Sequence, residues 1–583
     1  MGNINMRKMN RLLVFMTFAC LPLAGCQSSG ESSSKSEPTP LSSIVSSKSE
    51  TTESSAKPSV SSPTAEGFVI GVNQDGGLRI DGYKGKKKDI YLPNWVEGHE
   101  VTTIGAYAFV DNETITSVHI PSNIKTIRQS AFQGCTSLTT VTFSGDTFST
   151  MEHDAFRDCS SLSTIKIPYG ITEIPAKAFY SCTSLDSFII PSSVSYLGAS
   201  AFEGCYSLKE IYIPDKVSYI TTSCFAGCYS LSWVGLNKVT SIGWNAFENC
   251  ESLAEIDIPE GVTSIGGGAF SFCTSLKSID IPDSVSTIGS EAFSFCTSLE
   301  SVDYSKSMER VEYYIFRECT ALKSFDIPYG VASIESGAFD GCSSLASVTF
   351  PRTLTVIQSG AFTNCTSLTS ISIPGDLKTI YRNAFAGCTS LTSVDIPNAT
   401  KPVIYEHAFD GCSSLTTINI PELMDMDDGA FANCTSLTSF VVPSDCKSIP
   451  SHGFANCASL ASVTLHAWIS YIGSYAFKGC TSLTSLDIVA RVGFINQRLF
   501  DGCSSLVWVT IPNTTRYIEN RAFYRCTSLT SVFYRGTLEE WNAITFEGEN
   551  NELSAATLYF YSETSPIEPG HYWRYVDNVP TAW

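Results

Sequence analysis

The sequence predicts a β-rich solenoid, a single supersecondary unit of about 23 residues repeated along most of a 583-residue chain. Three observations predict it. Eighteen cysteines, running from Cys135 through Cys205, Cys250 and Cys365 to Cys526, recur at intervals of 22 to 24 residues. Each has a phenylalanine three positions earlier and a leucine three positions later, as in Phe202-Glu203-Gly204-Cys205-Tyr206-Ser207-Leu208. Between that leucine and the next phenylalanine the apolar residues alternate and then meet a proline. No such unit can bury its own apolar side, so stacking on neighbours must make the core continuous.

The unit from Cys250 to Phe270 shows the elements in order. Leu253 is followed by Ile256 and Ile258 flanking Asp257, a period of two that predicts a short strand with the isoleucines inward and Asp257 outward. Pro259 ends it, as Pro168, Pro191, Pro214 and Pro282 do elsewhere, because proline has no N–H for a ladder. A second extended step carries Val262 and Ile265 inward. The bend Gly266-Gly267-Gly268 reads as a turn and leads to Ala269-Phe270, a small residue then a large one in a narrow corner. Phenylalanines from Phe109 to Phe523 count one more unit than the cysteines, since Asn112 stands in the first cysteine slot. Nineteen coils at a strand spacing of roughly 4.8 Å would extend about 90 Å. The near-constant spacing leaves little room for an inserted loop carrying an active site.

The run Leu-x-x-Val-x-Ile-Pro-x-x-Val-x-x-Ile-x-x-x-Ala-Phe-x-x-Cys, clearest from Leu185 to Cys205 and from Leu253 to Cys273, resembles the BspA-like class of leucine-rich repeat. The resemblance spans about Phe68 to Tyr534. It implies an extracellular right-handed superhelix of leucine-rich repeats used for attachment to matrix proteins, epithelial cells or other microbes.

At the N-terminus, Arg7, Lys8 and Arg11 precede the apolar stretch Leu12–Leu21, which is too short to span a bilayer and reads as an export signal. It ends Leu23-Ala24-Gly25-Cys26, which looks like a bacterial lipobox; residues 1–25 would be removed and Cys26 would carry the lipid, with two or more acyl chains needed for stable anchoring. Residues 26–66, rich in Ser, Thr, Pro, Glu and Lys, are too polar to fold and read as a tether, about 35 Å in r.m.s. span. Residues 67–108 read as an N-terminal β cap, 109–534 as the solenoid, and the aromatic segment 535–583 as a C-terminal cap.

The net charge of −20 and the lack of a basic stripe argue against a nucleic-acid partner. Twenty-two cysteines in an exported chain ordinarily suggest disulfides. Here the periodic ones occupy one slot per coil with parallel Cβ vectors, a poor disulfide geometry, and are expected to be buried free thiols. Asn112 in the same slot favours a fitting or hydrogen-bonding role. Cys224 and Cys446 fall outside the ladder.

No catalytic constellation is legible. His99, His119, His153, His407, His452, His466 and His571 are scattered, and no zinc, phosphate-loop or nucleophile-elbow motif is present. Neither metal nor cofactor is expected; the acidic run Asp425–Gly429 lacks the ligand alternation of a calcium loop. His466 and Val489 replace the strand-ending proline in adjacent coils, which suggests a local kink. The outward strand slot holds Asp257, Asp280, Asp303 and Asp326 in four successive coils, a ridge of like charges that a cation or basic partner would relieve. The other outward column is mostly Ser and Thr, broken by Trp233, one coil after Tyr212, and by Trp508. Aromatics so placed are candidate anchors for a protein or a sugar, unless they lie against a cap. The expectation is a monomeric, lipid-anchored protein on the outer side of the cell membrane, non-enzymatic, binding matrix or cell-surface proteins or glycans. The alternative is an envelope scaffold with no host ligand.

Overall fold

The computed structural model describes residues 67–566 and 570–583. The export signal, Cys26 and the tether lie outside the described residues. Within them the chain is a leucine-rich-repeat solenoid whose strands run two to six residues, with two five-residue helices, Leu538–Asn542 and Asn551–Ala555. Each coil lays one strand on a first face, such as Glu210–Tyr212, turns, and lays a shorter one on a second face, such as Tyr219–Ile220. Neighbouring coils pair in parallel and in register: Glu210 faces Trp233, and Ser241 faces Ser264. The strand-ending prolines start the turn between the faces, their carbonyls accepting from the N–H three residues on, as from Val217 to Pro214 at 2.9 Å.

Alternation predicts burial more faithfully than it predicts pairing. Ile256 and Ile258 are buried and Asp257 is exposed, yet residues 254–258 form no ladder strand. Both faces are series of short sheets rather than two unbroken ones.

The core is a column. All nineteen phenylalanines from Phe109 to Phe523 stack ring on ring, with successive centroids 4.8 to 5.9 Å apart. The spacing is the coil-to-coil repeat, within the range aromatic pairs favour. Beside them the ladder cysteines are buried and free. Each thiol donates to the carbonyl of the phenylalanine one coil earlier, at 3.0 to 3.3 Å. Asn112 follows the first phenylalanine of the column, where no earlier one supplies a carbonyl; its Oδ1 instead accepts from the N–H groups of Thr114 and Ile115 and closes the turn. Burial pushes the ladder thiols from Cys159 to Cys526 up, to about 12 at Cys296 and Cys388.

The corner that holds Ala-Phe is made by backbone geometry invisible in the residue types. In every one of the nineteen coils the residues two before and two after the phenylalanine have left-handed φ, among them Lys177, Tyr314 and Arg498 before it and Phe272, Phe295 and Arg525 after it. This zigzag aims alternate N–H groups at the next coil: Ser200 donates to Thr222, Phe202 to Cys224 and Gly204 to Ala226.

The ends are closed differently. Phe68–Val72 pairs antiparallel with Leu78–Tyr83, which in turn pairs in parallel with His99–Ile104, so residues 78–104 already follow the coil geometry. At the C-terminus Thr557–Tyr561 and then Tyr572–Val576 continue the parallel ladder from Ser531–Tyr534, and Val579–Ala582 finishes it antiparallel. Trp573 is wholly buried there and donates Nε1–H to the Tyr534 carbonyl at 2.9 Å. Asp487, two coils back, accepts from Thr510 Oγ1 at 2.6 Å and from Tyr575 Oη at 3.0 Å, with Arg535 alongside, and ties the segment down. Among the described residues no helix is long and apolar enough to cross a membrane.

Candidate binding surface

Trp233 and Tyr212 occupy the first face, and Gly235 joins them. Register places Trp233 opposite Glu210 and Tyr212 opposite Gly235. A Cβ on Gly235 would lie 2.7 Å from the Trp233 ring and 3.2 Å from the Tyr212 ring, so both aromatics use the space that glycine leaves open. Tyr212 is 56% exposed and Trp233 half-buried. Ile189, one coil earlier in the Tyr212 slot, is 74% exposed; the Lys209–Asp186 ion pair at 3.6 Å marks the same alignment of the two coils. Ile189, Tyr212 and Trp233 thus form one apolar strip across three coils.

Trp508 has a different setting. It packs edge-on against Phe533 at 5.9 Å, and Phe533 meets Tyr559 and Trp573 of the closing segment. Of the two alternatives left open for the tryptophans, contact with the C-terminal cap describes Trp508.

The four aspartates are exposed but not equivalent. Asp280 and Asp303 are register partners on paired strands. Asp326 belongs to a separate pairing with Thr349, whose Oγ1 donates to its carboxylate at 2.6 Å, and Asp257 lies in a first-face stretch that forms no ladder strand. Lys323, near the ridge in sequence, pairs with Glu300. Among the described residues no cluster of three or more His, Cys, Asp or Glu side chains has metal-binding geometry.

One histidine meets an acid and a hydroxyl across coils. His119 Nε2 lies 2.9 Å from Asp89 Oδ1, its Nδ1 2.8 Å from Thr142 Oγ1, and Tyr91 stacks on the ring at 4.0 Å. Hydrogen bonds from Ser117 and then His119 hold the Asp89 carboxyl below its ordinary range. The group lies on the outward side of the paired strands Asp89–Tyr91, Ser117–Ile120 and Thr140–Phe143. His466 ties its turn to the preceding coil, with Nε2 2.8 Å from the Cys446 carbonyl, and its own carbonyl accepts from Ile469 N–H as the prolines' do.

Sequence reasoning missed Trp244, which stands 62% exposed on the corner of the same coil as Trp233. The signal was one coil downstream, at Gly267 in the same slot, where the turn reading stopped. More broadly, residues 169–244 expose Tyr169, Ile189, Tyr196, Tyr206, Tyr212, Tyr219, Tyr229 and Trp244, whereas residues 330–404 expose no large apolar side chain.

Among solved structures, the chain is similar to a leucine-rich repeat protein from Bacteroides ovatus, 24% identical over 85% of this chain and 99% of that one, with a TM-score of 0.38. It is also similar to a leucine rich cell surface protein from Faecalibacterium prausnitzii, 23% identical over 84% and 98%, TM-score 0.31. The T. pallidum leucine rich repeat protein is 28% identical over 37% of this chain and 91% of its own, TM-score 0.31. No curated protein matches the sequence. The family model described as BspA type leucine rich repeat region (6 copies) matches residues 102–232, 220–346, 309–437 and 425–552. With most of its length so matched, the chain belongs to the BspA type leucine-rich repeat family.

Proposed function

We propose that the protein is a lipid-anchored adhesin of the cell surface that binds a protein or glycan partner through the Ile189–Tyr212–Trp233 strip. Membership of a repeat family built for binding supports the general role. The observation that carries the reading is the density of exposed aromatics over residues 169–244, against none over residues 330–404. Exposed rings held by a rigid sheet are good anchors, because little side-chain freedom is lost on contact. The Asp280–Asp303 pair adds a place for a basic group of the partner, since like charges opposite each other across strands are unfavourable. Cys26 would supply the anchor, and many copies on one cell would raise avidity.

The test is saturable binding of the full-length protein to immobilised matrix proteins and to a glycan array, with and without calcium. Trp233→Ala is expected to weaken binding about tenfold or more, and Asp280→Asn by less. Cys26→Ala should release the protein from the membrane fraction. Retrieval of only the cell's own envelope components, with no matrix or glycan binding, would overturn the adhesin reading in favour of a scaffold.

A further inference from the structure

Trp244 is held over a glycine floor. A Cβ on Gly267, one coil on, would lie 2.7 Å from Trp244 Cζ3 and 2.9 Å from Cε3. Gly267 itself lies outside the left-handed region, and the same slot holds Thr222, Ser290 and Ser336 in other coils, so the backbone there does not require glycine. The ring above it does. The Asn245 side chain lies over Gly268 in the same manner, and the Tyr219 hydroxyl reaches to 2.9 Å from where a Cβ on Gly243 would stand. The result is an exposed ring on bare backbone, bordered by the Asn245 amide and by Tyr219, itself exposed, whose hydroxyl reaches the neighbouring Gly243. Four residues on from Trp244, burial first and then the charges of Glu203 and Glu291 raise the Glu248 carboxyl above its ordinary range.

We infer that this corner is a second ligand site, separate from the Tyr212–Trp233 strip, and that it takes a neutral hexopyranose ring of a glycan. A pyranose has an apolar C–H face and a rim of hydroxyls, the complement of one aromatic ring bordered by hydrogen-bonding groups. A protein partner that docks by apolar side chains needs a wider contiguous apolar patch than one ring. The net charge of −20 disfavours an anionic sugar. The ring is already in place before binding, which lowers the ordering cost.

The test is calorimetric titration of the full-length protein with maltohexaose, cellohexaose and N-acetylchitohexaose, with sialyllactose and hexalysine as charge controls. At least one neutral oligosaccharide is expected to saturate. Trp244→Ala should weaken it about tenfold or more, and Gly267→Ala, whose methyl displaces the ring and lies 3.1 Å from the Ser290 carbonyl, should do the same with the protein still folding cooperatively. Trp233→Ala should leave this binding intact. Saturation by none of the three neutral oligosaccharides would overturn the inference, as would hexalysine binding lost in the same two variants. Sugar binding lost in Trp233→Ala but not in Trp244→Ala would also overturn it, while leaving the proposed adhesin function standing.

Discussion

Beneath their surfaces, the coils of residues 169–244 and those of 330–404 share one phenylalanine column and one thiol ladder, with Phe350 added beside Phe362 and Cys224 in place of the alanine before Phe225. Phe225 stacks between Phe202 and Phe247 at 5.4 and 5.5 Å, and Phe362 between Phe339 and Phe385 at 5.1 Å on either side. Cys228 and Cys365 each donate to the phenylalanine carbonyl one coil earlier. Outside, the first region carries exposed tyrosines, Ile189 and Trp244, and the second exposes no large apolar side chain. Fold and recognition are therefore written in separate slots: inward residues repeat because every coil must meet its neighbours, and outward residues vary because nothing in the stack constrains them.

The equivalence of the cores is the first thing to break. Phe225→Ala and Phe362→Ala should each cost about 3–5 kcal/mol, by the same amount, in denaturant unfolding. A clear inequality would mean that the aromatic coils differ inside as well as out. Next in size is the thiol slot: Cys228→Ala and Cys365→Ala each remove a buried sulfur and one of two donors to a phenylalanine carbonyl, which keeps the N–H of Cys205 or Cys342, at about 1–3 kcal/mol, and the serine variants, which keep a donor, should be milder. Alanine as well tolerated as serine would reduce the thiols to filler. Smaller again is the left-handed corner. Gly227→Ala, with no neighbour nearer than 3.7 Å to the new methyl, isolates the backbone cost at about 1–2 kcal/mol, and Asn364→Gly should be close to neutral by thermal melting.

The smallest effect separates the two surfaces by charge. Glu248 is raised by burial and by like-charged neighbours; Asp340 is raised by burial but has Arg317 at 3.5 Å pulling it down. A carboxyl whose folded pKa is raised penalises the fold when ionised, and the penalty disappears as pH falls below its ordinary range. Glu248→Gln should therefore raise the melting temperature at neutral pH and lose that gain in acid, while Asp340→Asn, which also removes a partner from Arg317, should gain less.

Nineteen repetitions made the buried slots legible: phenylalanine, cysteine, leucine and the turn-forming proline are each fixed by a contact that recurs in every coil. The left-handed residue two before each phenylalanine was not legible, because Lys177, Tyr314, His407 and Arg521 fill it as readily as Gly337 or Gly360. Trp244 was hidden for a related reason. Its slot is read within one coil, but its position is set by Gly267 in the next, so the informative pair is 23 residues apart. The Asp ridge shows the same limit, since the slot was visible while the breaks between sheets were not.

The buried thiols give this solenoid a one-way failure. Intact, they are too weakly acidic to react; in a coil that opens, Cys342 and Cys365 or any adjacent pair would regain ordinary acidity while still close along the stack. In an oxidising medium the open coil would then be sealed by a disulfide whose geometry the closed stack does not accept. Lifetime outside the cell would be governed by how often a coil opens, not by how stable the fold is at equilibrium. Alkylation that matches the rate of inactivation under air, and halts when oxygen is excluded, would display that clock.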